Sequence, residues 1–229
     1  MAAHRRMTLT KQRRTSMPTE KSYKIRTKKR NLFLRVSPGH FATNHSHINY
    51  YIDVVAQKSR LSEAKAVAEE LVGYYKQNTI VDTILCLDGT EVIGACLAAE
   101  LTREDFTNMN KHQTIYIVTP ERTSGSQLIF RDSTSPMIRG KNVLILAASV
   151  TTGYTTQSAV EAIKYYGGMV AGVASIFATV DECSGYTVHS VFDPNDLDGY
   201  ATYPAHECPM CRAGKKIDAL VNSFGFSRI

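Results

Sequence analysis

Residues 141–168, KNVLILAASVTTGYTTQSAVEAIKYYGG, decide the fold. The apolar run 142–147 has the length of a buried strand, and the pattern over 155–166 has the period of a helix. Between them, Thr151-Thr152-Gly153-Tyr154-Thr155-Thr156 sets four hydroxyls and a glycine in one turn. Backbone N–H groups at a helix start and the positive end of the helix dipole converge there. Gly153 permits a positive φ or close approach of a ligand to the backbone. A monophosphate dianion suits such a turn, and a threonine-rich helix cap without a ligand is the plainer alternative. No GK[ST] or GxGxxG pattern is present, so neither a nucleoside triphosphate loop nor a dinucleotide fingerprint accounts for it.

Working outward, the run 80–87 is apolar and ends at Asp88-Gly89, which predicts a buried strand entering a tight turn. A helix over 91–101 follows. Leu61, Ala64, Val67, Ala68, Leu71 and Val72 recur at helical spacing, with Ser62 as the expected N-cap and Gly73 near the end. Strands are expected over 49–55, 114–118, 170–179 and 189–192. The segment 35–47, with Pro38-Gly39, reads as a loop, and 119–141 as a mobile loop or a hairpin around 127–130. Strands and helices alternate, which predicts an α/β fold with a parallel sheet flanked by helices. Ligands in such folds sit beyond the carboxyl ends of the strands, here loops 88–91 and 147–156.

The net charge of +6 divides unevenly. Twelve of the 27 Lys/Arg and one of the 21 acids, Glu20, precede position 36, so the remainder carries 15 bases against 20 acids. Residues 1–30 therefore read as a basic, disordered tail, and 31–229 as a single domain. The tail is read as a solvated arm; nucleic acid or anionic lipid is the alternative partner, and its Arg-rich, acid-poor character also suits a transit peptide. No apolar run reaches the roughly 20 residues of a membrane helix. Five cysteines, an odd number, do not form a disulfide framework, so a cytoplasmic location is expected.

Three ordered stretches carry a resemblance. VLILAASVTTGYTT is similar to the ribose-phosphate signature of type I phosphoribosyltransferases. Gly39-His40-Phe41 followed by His45-Ser46-His47-Ile48-Asn49-Tyr50-Tyr51 resembles the N-terminal hood of orotate phosphoribosyltransferases, and Glu207-Cys208-Pro209-Met210-Cys211-Arg212-Ala213-Gly214 resembles the tail of some bacterial members. The resemblance spans roughly residues 36–214. It implies transfer of ribose 5-phosphate from phosphoribosyl diphosphate to a pyrimidine base, with Mg²⁺, in a homodimer. Ser149, Thr151, Thr152, Gly153, Tyr154 and Thr155 would hold the ribose phosphate, and Asp88, Gly89 and Thr90 the diphosphate. Phe41 and Asn44 would face the base. The stretch 119–141 would be the catalytic loop, with Arg122 and Arg131 as its cations.

The sequence also departs from the family. Two acids that contact the ribose hydroxyls are replaced by Ala147 and Ala148. The Lys-x-His-Gly of the loop is absent, with Arg139 and Lys141 as the further cations on offer. The Arg expected after the strand 170–179 is missing from Phe177-Ala178-Thr179-Val180-Asp181. These losses keep a second reading open, a non-catalytic regulatory paralogue that binds phosphoribosyl diphosphate or a nucleotide. Cys208 and Cys211 have zinc-knuckle spacing beside His206, with Cys183 and His189 as further candidate ligands. A metal-free structural tail and a redox pair are the alternatives. His40, His45 and His47 form a second cluster, read as a polar turn or as contacts to substrate or metal. Asp82 lies early in the strand 80–87 and Glu91 just beyond it, where a helix start favours a carboxylate.

Overall fold

The computed structural model describes residues 22–26, 32–111, 113–125, 127–222 and 225–229. Its main sheet is built from β4 (Thr83–Cys86), β5 (Tyr116–Val118), β8 (Asn142–Val150), β9 (Met169–Ala178), β10 (Glu182–Cys183) and β11 (Tyr186–Phe192). The spatial order is β10-β11-β9-β8-β4-β5. All neighbours are parallel except the short β10–β11 pair. The expected parallel α/β architecture is therefore present.

Alternation along the strands explains why both faces are covered. Ile84 and Cys86 of β4, with Leu144 and Leu146 of β8, pack in one cluster with helices α2 (Leu61–Tyr75) and α3 (Glu91–Leu101). Leu85, Val143, Ile145 and Ala147 pack in a second cluster with α4 (Tyr154–Tyr165). Burying a leucine-sized side chain contributes about 1.5–3 kcal/mol, so these two clusters supply the main drive for the layered fold.

A second sheet forms the hood. It contains β1 (Tyr23–Arg26), β2 (Phe33–Ala42), β3 (His47–Asp53), β12 (Thr202–Tyr203), β13 (Ala219–Asn222) and β14 (Gly225–Arg228). Here three expectations change. The segment 35–47 is mostly strand, because Pro38-Gly39 sits at a register shift within the β2–β3 pairing and makes a bulge rather than a loop. Within the supposedly disordered tail, Tyr23–Arg26 pairs antiparallel with β2, with Lys24 and Arg26 over the Phe33 ring. The rest of that tail lies outside the described residues. Helix α2 starts at Leu61 with Arg60, not Ser62, as N-cap, because the short α1 (Val55–Ser59) runs into it.

The stretch 119–141 contains a small hairpin, β6 (Glu121–Arg122) with β7 (Leu128–Ile129). The tail contributes α5 (Pro209–Arg212). No described helix is long and apolar enough to cross a membrane.

Candidate active site

The chain passes from β4 to β5 in one direction along the sheet, and to β8, β9 and β11 in the other. The order reverses between β4 and β8, and at such a switch point the loops leave on opposite faces and open a crevice. β4 and β8 are paired up to Cys86 and Leu146, and the Leu87 N–H still reaches the Leu146 carbonyl at 2.8 Å. Beyond that point the chains diverge. The two loops singled out from sequence flank this crevice.

On the β8 side the strand runs three residues further than expected, to Val150, so the turn is only Thr151–Gly153. Helix α4 begins at Tyr154, with Gly153 as its N-cap at φ +77°. That left-handed backbone favours glycine, and a Cβ there would lie 2.9 Å from Cys183 Sγ. No side chain caps the helix. Its first N–H groups thus have no side-chain acceptor, the condition an anion site at a helix start requires. Thr152 and Tyr154 are exposed, whereas Thr156 is buried. The Thr179 hydroxyl donates to the Thr151 carbonyl at 2.9 Å and fixes the turn to the end of β9.

On the β4 side, Asp88 (φ 58°) and Gly89 (φ 80°) are both left-handed, which folds the backbone sharply back into α3. Thr90, expected to touch diphosphate, is fully buried. Its hydroxyl donates to the carbonyls of Leu87 at 2.9 Å and Leu146 at 3.0 Å, so it staples the two strand ends together. The Thr90 side chain is a positioning group, not a ligand.

The Asp88 carboxyl is pushed above the ordinary range by burial, partly offset by the Arg122 and Lys58 cations. Arg122 of the hairpin thus lies near enough to the Asp88 carboxyl to act on its charge. Lys58, on α1, was not singled out from sequence. Its ammonium donates to the Asp88 carbonyl at 2.8 Å, and burial lowers its basicity against the opposing pull of Asp88, Glu91 and Asp53. A lysine in a five-residue helix carries no pattern of its own; only its place beside the Asp88 turn marks it. Glu91 accepts from the Thr119 hydroxyl at 3.0 Å, which ties α3 to the start of the hairpin. Asp82 accepts from the Asn142 backbone and side chain, both at 2.8 Å, at the opposite end of the strands.

Other expected residues fall elsewhere. Arg131 is held by Glu121 across the base of the hairpin, its Nε 2.8 Å from Oε1 and a second guanidinium nitrogen on Oε2. This bidentate pair turns Arg131 away from the catalytic role read from sequence. Arg139 and Lys141 precede β8 and so lie at its amino end, about 30 Å of strand from the phosphate turn. They do not replace the missing loop cations. Phe41, expected near the base, is buried with Ile48, Tyr51 and Ala219 in the hood's own core. Asn44 is exposed in the bend between β2 and β3, beside His45, whose ring lies 4.8 Å from that of Tyr154. The hood tip therefore overhangs the start of α4 and the Thr151–Gly153 turn, with Asn44 at its edge. Ala147 and Ala148 are 1% and 4% exposed, and Ser149 is exposed one residue on.

A second constellation lies across the hood. His40 and His47 meet Cys208 and Cys211, with one ligand atom from each within 4.8 Å of the others. The partners suggested from sequence for the Cys pair are placed elsewhere. Cys183 lies against the Gly153 carbonyl, His189 stacks on Tyr74 at 4.3 Å, and His206 faces Glu207 at 3.3 Å.

No protein-family model matches the chain. Curated relatives do. An orotate phosphoribosyltransferase of Chlorobium phaeobacteroides is 27% identical over 191 residues, covering 79% of this chain and 86% of its own. One of Chlorobaculum parvum is 26% identical over 185 residues, covering 79% and 86%. The resemblance carried by the three sequence stretches is thus shared along most of the chain. Among solved structures, the UMP synthase of Leishmania donovani superposes with a TM-score of 0.50 at 19% identity, covering 71% of this chain and 34% of that one. The fold matches that part of the larger protein.

Proposed function

We propose that the chain is a phosphoribosyltransferase of the orotate type. It takes phosphoribosyl diphosphate at the β4–β8 crevice and passes ribose 5-phosphate to a pyrimidine base. The observation that carries this reading is the pair of loops at the switch point. An α4 start without a side-chain cap lies on one side for the 5′-phosphate, and the left-handed Asp88–Gly89 turn with Lys58 and Arg122 lies on the other for the diphosphate. The names of the curated relatives support it.

The chemistry asks little of the side chains beyond position and charge. A base nitrogen attacks the anomeric carbon, the bond to diphosphate breaks, and positive charge accumulates on the sugar ring. Lys58 and Arg122 would hold the leaving diphosphate, and the exposed α4 N–H groups the phosphate, so that the ring is fixed between two anchors. The oxygen donors at the strand ends are the Asp88 and Glu91 carboxylates, with none from Ala147 or Ala148. So sparse a set would suit Mg²⁺ carried in by the substrate's phosphates, whose charge it would neutralise. Residues at the hood tip, Asn44 and His45, stand where the base would enter. The homodimer belongs to the same proposal.

A specific observation favours a second reading, binding without transfer. The two positions that should grip the ribose hydroxyls are buried alanines, and Arg131 is engaged by Glu121. One experiment separates the two. The full chain is incubated with phosphoribosyl diphosphate, Mg²⁺ and a panel of bases, and diphosphate release is followed. Release with a pyrimidine base supports transfer. Tight binding with no release from any base supports the second reading, more so if Ala147→Asp with Ala148→Asp gains activity.

A further inference from the structure

Four side chains outside the crevice converge without any use in the reaction. His40 and His47 come from the hood strands β2 and β3, Cys208 and Cys211 from the tail around α5. His40, His47 and Cys208 are buried. His40 Nε2 lies 3.2 Å from His47 Nδ1, 3.5 Å from Cys208 Sγ and 3.6 Å from Cys211 Sγ, and Cys211 Sγ lies 3.3 Å from His47 Nδ1.

These separations have a physical meaning. A tetrahedral zinc ion with bonds of about 2.3 Å to sulfur and about 2.05 Å to nitrogen sets ligand edges of about 3.4 Å between nitrogens and about 3.6 Å between nitrogen and sulfur. These four of the six edges fall within a few tenths of an ångström of those values, and the two remaining edges stay within 4.8 Å. Hydrogen bonding also points the lone pairs inward. His40 Nδ1 faces the carbonyls of Lys215 at 2.9 Å and Lys216 at 3.2 Å. Carbonyls only accept, so Nδ1 carries a hydrogen, and the tautomer this sets turns the Nε2 lone pair to the cluster. A backbone carbonyl on the far nitrogen is the usual support of a metal-bound histidine.

We propose that His40 Nε2, His47 Nδ1, Cys208 Sγ and Cys211 Sγ form a closed tetrahedral site for a thiophilic divalent cation, zinc by its donor set. Two imidazoles and two thiolates with all four positions filled by protein leave no open position for a reacting water, so the site is structural. Its effect follows from what it joins. The tail meets β2 through two paired residues of β13, through Asp218, which accepts from the His40 N–H and donates to the His40 carbonyl, both at 2.7 Å, and through the Lys215 and Lys216 carbonyls on His40 Nδ1. The ion would fasten the tail to the hood across more than 160 residues of sequence. His45, between the two histidine ligands, touches Tyr154 of the phosphate turn. Zinc would therefore hold the hood tip over the crevice, whatever reaction the crevice performs.

The test uses the full, untagged chain purified under reducing conditions. Elemental analysis should find about one zinc per chain, and removal of the metal with a chelator should lower the thermal unfolding midpoint until Zn²⁺ is restored. Refilling with Co²⁺ should give the visible bands of tetrahedral cobalt and the near-ultraviolet charge transfer of thiolate ligation. Cys208→Ser with Cys211→Ser should abolish both signals, while His206→Gln should keep them. Wild-type protein that is folded and reduced yet takes up neither Zn²⁺ nor Co²⁺ stoichiometrically would overturn the proposal. So would zinc retained by the double cysteine variant. The wild-type measurements decide even if that variant does not fold.

Discussion

The ring of His45 at the hood tip lies 4.8 Å from that of Tyr154, the first residue of α4. This contact joins the two sheets' contributions to the crevice, since His45 belongs to the β2–β3 bend and Tyr154 to the start of α4. Both residues are exposed, so the contact orders the crevice more than it supports the core. An aromatic pair contributes about 0.5–1.5 kcal/mol. His45→Ala should therefore weaken binding of phosphoribosyl diphosphate by about two- to tenfold. The unfolding midpoint should fall by no more than a few degrees. Calorimetric titration with thermal melts on the same protein checks both.

The two arginines read together from sequence should behave differently. Arg122 bears on Asp88 in the crevice, whereas Arg131 is held by Glu121 on the hairpin surface. Arg122→Ala should lower affinity for diphosphate-bearing ligand by about tenfold or more, the loss expected when a charged partner is removed. Arg131→Ala should change it by less than about threefold, as expected of an exposed pair. Equal losses in parallel titrations would contradict the assignment.

Thr90 discriminates between a ligand contact and a staple. Its hydroxyl donates to two carbonyls from different strand ends within a fully buried site. Thr90→Val should destabilise the protein by about 1–3 kcal/mol by taking the donor from the buried Leu87 carbonyl and leaving the Leu146 carbonyl only the Leu87 N–H, and Thr90→Ser should restore most of it. Denaturant unfolding without any ligand present measures this. A Thr90→Val protein of wild-type stability would return Thr90 to the ligand contacts.

Asp88 sets a pH dependence. Its carboxyl is raised above the ordinary range by burial, so the folded protein binds this proton more tightly than the unfolded chain does. Its contribution to stability is most favourable at low pH and falls as the pH rises through the ordinary carboxylate range and on through the raised value. Asp88→Asn removes the titration. Compared with wild type, the variant should gain stability as the pH rises above about 4. Denaturant midpoints across that range show the slope of the difference, and a falling difference would mean that Arg122 and Lys58 outweigh burial.

The legible parts of the chain were those whose partners are local. Helix α3 lies where its pattern put it, at Glu91–Leu101, and the apolar runs that became β4, β8 and β9 were recognisable as strands buried on both faces. β2 was hidden because Pro38-Gly39 looks like a turn, and only pairing with β3 and β13 shows that it is a bulge within a strand. The C-terminal β13 and β14 depend on β2, some 180 residues away, and carry no local signal. The same separation concealed the ligand set. His40 and His47 were visible as histidines and Cys208–Cys211 as a CxxC, but nothing in their spacing says that they meet. In the crevice, Thr151–Gly153 and Asp88–Gly89 were legible from turn chemistry, whereas the diversion of Arg131 required Glu121 opposite it, a pairing that only the hairpin creates.

The claim that the β4–β8 crevice takes a ribose phosphate is tested most directly by titrating phosphoribosyl diphosphate with Mg²⁺ into wild type and Gly153→Val. The variant strains the +77° backbone of the phosphate turn and sets a Cβ 2.9 Å from Cys183 Sγ. The account predicts one saturable site per chain in the wild type, competed by inorganic phosphate at high concentration. It predicts loss of that site in the variant. No binding by the folded wild type, or undiminished binding by Gly153→Val, would contradict it.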